Sequence, residues 1–135
     1  MNFALAQDTR IGGRRVNQDR LGYWSTPGCL LMAVADGLGG HPNGEVAAEI
    51  AIQILGLTFE REARPTIADP HAFLFRTIAA AHAAIVREAE RLELSDTPRT
   101  VIVACVIQDG MAHWTHVGDS RLYLCLLYTS PSPRD

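Results

Sequence analysis

The sequence is short of cysteine, with three thiols, Cys29, Cys105 and Cys125, in 135 residues. They are odd in number and far apart, and two lie inside apolar runs. This excludes a disulfide framework and leaves no Cys/His spacing for zinc, so buried thiols are expected. Charge of one sign is also scarce: the formal net charge is −3, and the basic residues are scattered apart from Arg14-Arg15, which leaves no footprint for nucleic acid. Long hydrophobic runs are missing, since no stretch reaches the ~18 apolar residues that span a bilayer. The start, Met1-Asn2-Phe3-Ala4-Leu5-Ala6-Gln7-Asp8, lacks the charged head and apolar run of a secretion signal. These absences predict a cytoplasmic protein with neither nucleic acid nor membrane as partner.

What is present is an ordinary globular balance, 47% apolar and 20% charged. The length suits one domain and not two, because single cores form at roughly 100–200 residues. Residues 2–7 alternate loosely and predict a first strand, followed by a Gly12-Gly13 loop and a short strand over 20–24. Ser25-Thr26-Pro27-Gly28 is turn chemistry. The run from Cys29 to Ala35 reads as a buried strand, which the four glycines within 37–44 bring to an end.

Apolar spacing predicts a helix over 45–61, with Ala47, Ile50, Ala51, Ile54 and Leu57 or Thr58 on one face. Beyond Pro65 a second helix is predicted from Asp69-Pro70 to Leu92. Its stripe is Leu74, Ile78, Ala81, Ile85, Ala89 and Leu92, and Asp69 is its cap. From Val101 to Ile107 the residues are β-branched and apolar, Gln108-Asp109-Gly110 marks a hairpin, and Met111 to Val117 returns as a strand. Gly118-Asp119-Ser120 then turns into 121–126. Strands, two helices and strands joined by hairpins favour an α+β fold with antiparallel sheet over a doubly wound one. The pattern breaks near the end, where 125–135 reads as a disordered tail or as translated adapter sequence.

Pairing Trp24 with Cys29 across the first hairpin sets Asn17 opposite Asp36, with Asp19 within two residues of that pair. Carboxylates gathered there repel unless a cation lies between them, and oxygen ligands suit Mg²⁺ or Mn²⁺ rather than zinc. Asp119, past another strand end, is a candidate third oxygen donor. Arg14, in a glycine-led loop, can hold a phosphate bidentately beside the metals. Taken singly, each has a plainer reading: Asp-Gly and Gly-Asp are common turn pairs, and Arg14 can be a surface residue. His41, His82 and His116 lack a partner motif and read as structural or exposed. The segment 37–44 is no phosphate loop, because it lacks the Gly-Lys-Ser/Thr ending.

Four blocks occur in order: Gly12-Gly13-Arg14-Arg15-Val16-Asn17-Gln18-Asp19, Val34-Ala35-Asp36-Gly37-Leu38-Gly39-Gly40-His41, Gly44-Glu45-Val46-Ala47-Ala48, and His116-Val117-Gly118-Asp119-Ser120-Arg121-Leu122-Tyr123. Together they resemble the type 2C metal-dependent protein serine/threonine phosphatases, of bacterial type. The resemblance covers nearly everything up to Leu124. It implies a sandwich of two antiparallel sheets flanked by helices, and hydrolysis of phosphoserine and phosphothreonine in proteins by water activated between two Mn²⁺ or Mg²⁺ ions. It also implies that Arg14 binds the substrate phosphate and that Asp19 holds the metal pair, directly or through water. The resemblance implies further that Asp36 bridges the metals, that the carbonyl of Gly37 is a further ligand, and that Asp119 belongs to an accessory third metal position. A phosphorylated serine/threonine kinase and its targets are the implied partners.

Two departures stand out. Gln18 occupies a position where many members have Glu, and as a neutral amide it retains the capacity for a water-mediated metal contact. Leu38 stands where animal-type members place a histidine proposed as general acid, so protonation of the leaving group falls to another group. The family's remaining metal-binding aspartates lie in its C-terminal half, and after Leu124 this chain offers only Asp135. The expectation is that residues 1–124 are the N-terminal portion of such a domain, poorly stable and of little activity alone. A catalytically inactive regulatory or partner-binding module is the alternative, and the retention of Arg14, Asp19, Asp36 and Asp119 weighs against it.

Overall fold

Two tight turns and one long excursion organise the chain. A computed structural model describes residues 1–10, 12, 18–37, 43–118 and 122–123. Strands β1 (Asp19–Thr26) and β2 (Cys29–Gly37) form a hairpin, whose register runs from Thr26↔Cys29 to Asp19↔Asp36. The expected turn over 25–28 shrinks to Pro27-Gly28, because the Thr26 hydroxyl accepts from the Gly28 N–H at 3.2 Å and itself donates to the Pro65 carbonyl. The pairing therefore slides by two residues from the expected Trp24–Cys29 register. A shift of two keeps every side chain on its expected face, and it sets Asp19 directly opposite Asp36.

Strands β3 (Thr100–Gln108) and β4 (Met111–Val117) form the second hairpin. Asp109 and Gly110 both take positive φ, 53° and 72°, as the two-residue turn that matches strand twist requires. The sheet order is β1-β2-β3-β4, antiparallel throughout. Helices α1 (Gly44–Glu62) and α2 (Pro70–Arg91) lie between the hairpins in sequence. Asp69 caps α2 by accepting from the Ala72 N–H at 3.1 Å, and Pro70 fills its first turn. Residues 2–7, expected as a strand, form none. The reason is physical: alternation yields a strand only where one face is buried, and all of 1–10 except the half-buried Leu5 is exposed.

Helix α1 packs on β1, β2 and β3, while α2 packs on α1 and reaches β4. Contact on two sides widens the buried arc of α1 to Ala47, Ala48, Ala51, Ile52, Leu55, Gly56, Thr58 and Phe59, while Leu57 is 62% exposed. Of the expected stripe Ala47, Ala51 and Thr58 are buried and Ile50 and Ile54 half-buried, while Ala48, Ile52, Leu55, Gly56 and Phe59 extend the arc beyond it, and at Gly56 the helix approaches through a residue with no side chain. Trp24 shows why: a Cβ at Gly56 would lie 2.7 Å from the Trp24 ring, and one at Gly22 2.8 Å from it. In α2 the buried face is Phe73, Leu74, Thr77, Ala81, Ile85 and Ala89. Leu92 falls beyond the last turn and is 41% exposed.

The core thus lies between the helices and one sheet face, carried by Leu31, Ala33, Ile102, Ala104 and Val106. The other face is apolar too. Leu30, Val101, Val103 and Cys105 are buried there, and Tyr23, Val34 and Trp114 are exposed. The thiols of Cys29 and Cys105 are free and buried, and burial pushes both up from their ordinary range. Cys125 lies outside the described residues.

One buried polar side chain ties the helix connection to the sheet. Gln108, 6% exposed, accepts from the Ile67 N–H at 2.9 Å and donates to the Ile67 carbonyl at 2.8 Å. Gln108→Ala leaves both backbone groups unsatisfied where Ile67 is 2% exposed. It is expected to cost about 2–4 kcal/mol in a urea titration; a loss below ~0.5 kcal/mol would mean that water replaces the amide.

Candidate metal centre

Local geometry at the open end of the first hairpin decides what its side chains can do. Gly22 and Trp24 face α1, so by the two-residue period Asp19, Leu21 and Tyr23 face the opposite side of the sheet. Asp19 and Asp36 are register partners and share that side, with directly opposed Cβ atoms typically about 4.5–5.5 Å apart. Both are half-buried. Two carboxylates at this spacing and on one face could contribute oxygen ligands to a hard cation such as Mg²⁺ or Mn²⁺. Among the described residues no third His, Cys, Asp or Glu completes a cluster with them.

Gly37 follows at once. Its N–H donates to the Gln18 carbonyl at 3.1 Å, extending the ladder one step past Asp19↔Asp36. A Cβ there would lie 2.7 Å from the Gln18 Cβ and 2.7 Å from the backbone carbonyl of Gly44. Glycine is therefore required by close approach: the first residue of α1 sits against the end of β2. Thr100 braces the same end, its hydroxyl donating to the Asp36 carbonyl at 2.9 Å.

Gln18 is placed differently from the carboxylates. Its amide Nε2 donates to Glu45 Oε2 in the first turn of α1 at 3.1 Å, which puts it on the helix side. The structure thus brings Asp19, Asp36 and Gly37 together and turns Gln18 towards α1. Arg14, Asn17, Asp119 and His41 lie outside the described residues. His82 is exposed on α2, and His116, also exposed, has its Nδ1 3.3 Å from the Gly118 carbonyl oxygen; both agree with the structural or exposed reading. Sequence reasoning missed Arg20, Glu45, Glu49 and Thr100 around this end. Glu45 lay within a recognised block, but its partner becomes visible only once helix and strand are aligned.

A cavity of about 510 Å³ opens between α2 and the β3–β4 hairpin, lined by Ile78, Ala81, Ile85, Ile102 and Val117 among others. Neither Asp19 nor Asp36 lines it.

Comparisons with known proteins bear on the fold and the family. The family model for protein phosphatase 2C matches residues 6–126. The serine/threonine phosphatase stp of Listeria monocytogenes is 35% identical over 95 residues, covering 70% of this chain and 38% of that protein. Protein phosphatase PhpP of Streptococcus pneumoniae is 27% identical over 126 residues, covering 92% of this chain and 50% of that protein. The chain therefore spans half or less of the length of these relatives. Among solved structures, the catalytic domain of the serine/threonine protein phosphatase PstP, in complex with 2 manganese ions, superposes with a TM-score of 0.65 at 30% identity. That match covers 80% of this chain and 44% of the PstP chain. With the carboxylate pair, the hairpin sheet and its two helices all in place, and the family model spanning most of its length, the chain belongs to the protein phosphatase 2C family.

Proposed function

We propose that this chain supplies the metal-holding and phosphate-holding part of a protein serine/threonine phosphatase that uses two Mn²⁺ or Mg²⁺ ions, with a third at an accessory position. The observation that supports it best is the direct opposition of Asp19 and Asp36 on one sheet face beside Gly37. When bound, paired hard cations would lower the pKa of water towards ~7 and so supply a nucleophile for attack at phosphorus. The protein's own residues do the rest. Asp36 and Asp19 hold the ions, the Gly37 carbonyl adds an oxygen donor, and Asp119 serves the accessory position. Arg14 binds and orients the phosphoryl oxygens, a positioning and electrostatic role. Gln18 donates to Glu45 through its amide nitrogen, and its amide oxygen serves for a water-mediated metal contact.

In this reading residues 1–124 are one portion of a two-sheet domain and 125–135 are not part of it. The apolar sheet face bearing Leu30, Val103, Cys105 and Trp114 is the side that a second sheet covers. Among the described residues no helix is long and apolar enough to cross a membrane. Phosphorylated cytoplasmic proteins, including a serine/threonine kinase and its targets, are the proposed substrates. The test is hydrolysis of a phosphothreonine peptide by the intact protein that carries this chain, with Mn²⁺ and then with EDTA. Turnover that stops with EDTA supports the reading. Turnover indifferent to EDTA overturns the metal mechanism, and Mn²⁺ uptake without turnover favours an inactive regulatory module.

A further inference from the structure

The residues on either side of Asp19 are both tied to α1. Gln18 Nε2 donates to Glu45 Oε2 at 3.1 Å, and Arg20 Nε donates to Glu49 Oε1 at 3.3 Å. Arg20 also folds back, its Nη1 donating to the Asp19 carbonyl at 2.8 Å. Glu45 and Glu49 are one helical turn apart, while Gln18 and Arg20 are two strand residues apart. Those spacings match: four helical residues rise about 6 Å and two strand residues about 6.6 Å. A helix running along a strand can therefore bond two successive side chains on the near face. The residue between them is then turned to the far face, and that residue is Asp19.

We infer that Glu45 and Glu49 are positioning residues that, through Gln18 and Arg20, fix the backbone of Asp19 and hence the aim of its carboxylate. The bonds are modest individually. Arg20 and Glu49 are 35% and 47% exposed at the side chain, and such ion pairs contribute little to stability. Their value is geometric, because together they remove the freedom of a strand end to twist or fray. The close seat of Gly44 against Gly37 locks the neighbouring strand to the same helix start, so α1 governs both carboxylates from behind. Glu45 also lies in the first turn of α1, where the helix dipole favours a carboxylate. The consequence for metal binding rests on the phosphatase reading; the clamp itself does not.

The experiment compares wild type with the double variants Glu45→Ala/Glu49→Ala and Glu45→Gln/Glu49→Gln. Glutamine retains an oxygen acceptor for Gln18 and for Arg20. Amide hydrogen exchange is followed at Gly37, whose N–H bonds the Gln18 carbonyl, and at Leu31 in the middle of β2 as a control. In the alanine variant Gly37 is expected to exchange about tenfold faster with Leu31 unchanged. Mn²⁺ affinity is expected to fall about tenfold, as loss of outer-shell partners does elsewhere. The glutamine variant should recover both. Unchanged protection at Gly37, equal loosening at Leu31, or a glutamine variant no better than alanine would each overturn the clamp. If exchange behaves as expected while wild type takes up no Mn²⁺, the clamp stands and the metal reading falls.

Discussion

Asp36→Asn is expected to abolish tight Mn²⁺ binding while leaving the sheet folded. Asparagine retains the size of the side chain and one oxygen, but it removes the charge that a hard divalent cation selects. Asp36 lies opposite Asp19 in the last paired step before Gly37, so on the proposed function this substitution strikes a metal ligand rather than a supporting partner. The loss in affinity should exceed the roughly 10–100-fold that outer-shell changes produce, with peptide hydrolysis falling in parallel. The backbone contacts at this position do not depend on the carboxylate: Thr100 bonds the Asp36 carbonyl oxygen, and the ladder continues to Gly37. The thermal midpoint should therefore move by less than roughly 4 °C, the equivalent of ~1 kcal/mol. Isothermal titration with Mn²⁺ beside a melting curve checks both parts. Wild-type affinity in the variant would remove Asp36 from the metal centre.

Phe73→Ala is expected to have the largest effect on the fold. Phe73 is fully buried and is the largest such side chain among the described residues. It belongs to the core between helices and sheet. Its removal costs transfer free energy and leaves a cavity in a close-packed interior, about 3–5 kcal/mol in comparable cases. Domains hold only about 5–15 kcal/mol in total, so a large share of the stability would be lost. A urea titration should show the midpoint falling with an unchanged slope. A loss below ~1.5 kcal/mol would mean that α2 closes onto the space.

The two substitutions bear on different layers of information in the sequence. Turn chemistry and β-branched runs made both hairpins legible, and Asp69-Pro70 marked the start of α2. The carboxylate pair was legible because a hairpin converts sequence distance into spatial opposition. Its register was misread by two residues because Pro27-Gly28 closes the turn with help from the Pro65 carbonyl, a tertiary partner that local pattern does not show. The buried face of α1 was legible in part. Ala47, Ala51 and Thr58 of the expected stripe are buried, whereas the alternative Leu57 is exposed and close packing on two sides adds Ala48, Leu55 and Gly56. The supporting acids Glu45 and Glu49 carry no signal by themselves, since acids one turn apart on a helix are usually solvated. Only alignment of α1 with β1 gives them partners.

The order of the strands carries a kinetic meaning. The carboxylate pair belongs to a hairpin that closes on itself, whereas β2 meets β3 across an excursion that includes both helices, from Gly37↔Thr100 to Cys29↔Gln108. Local contacts form early and distant ones must first overcome loop-closure entropy. During folding, Asp19 and Asp36 can therefore face each other before the middle of the sheet exists. A nascent chain would carry this carboxylate pair while much of its apolar surface is still open, so on the proposed metal reading divalent cation concentration would influence the route to the native state.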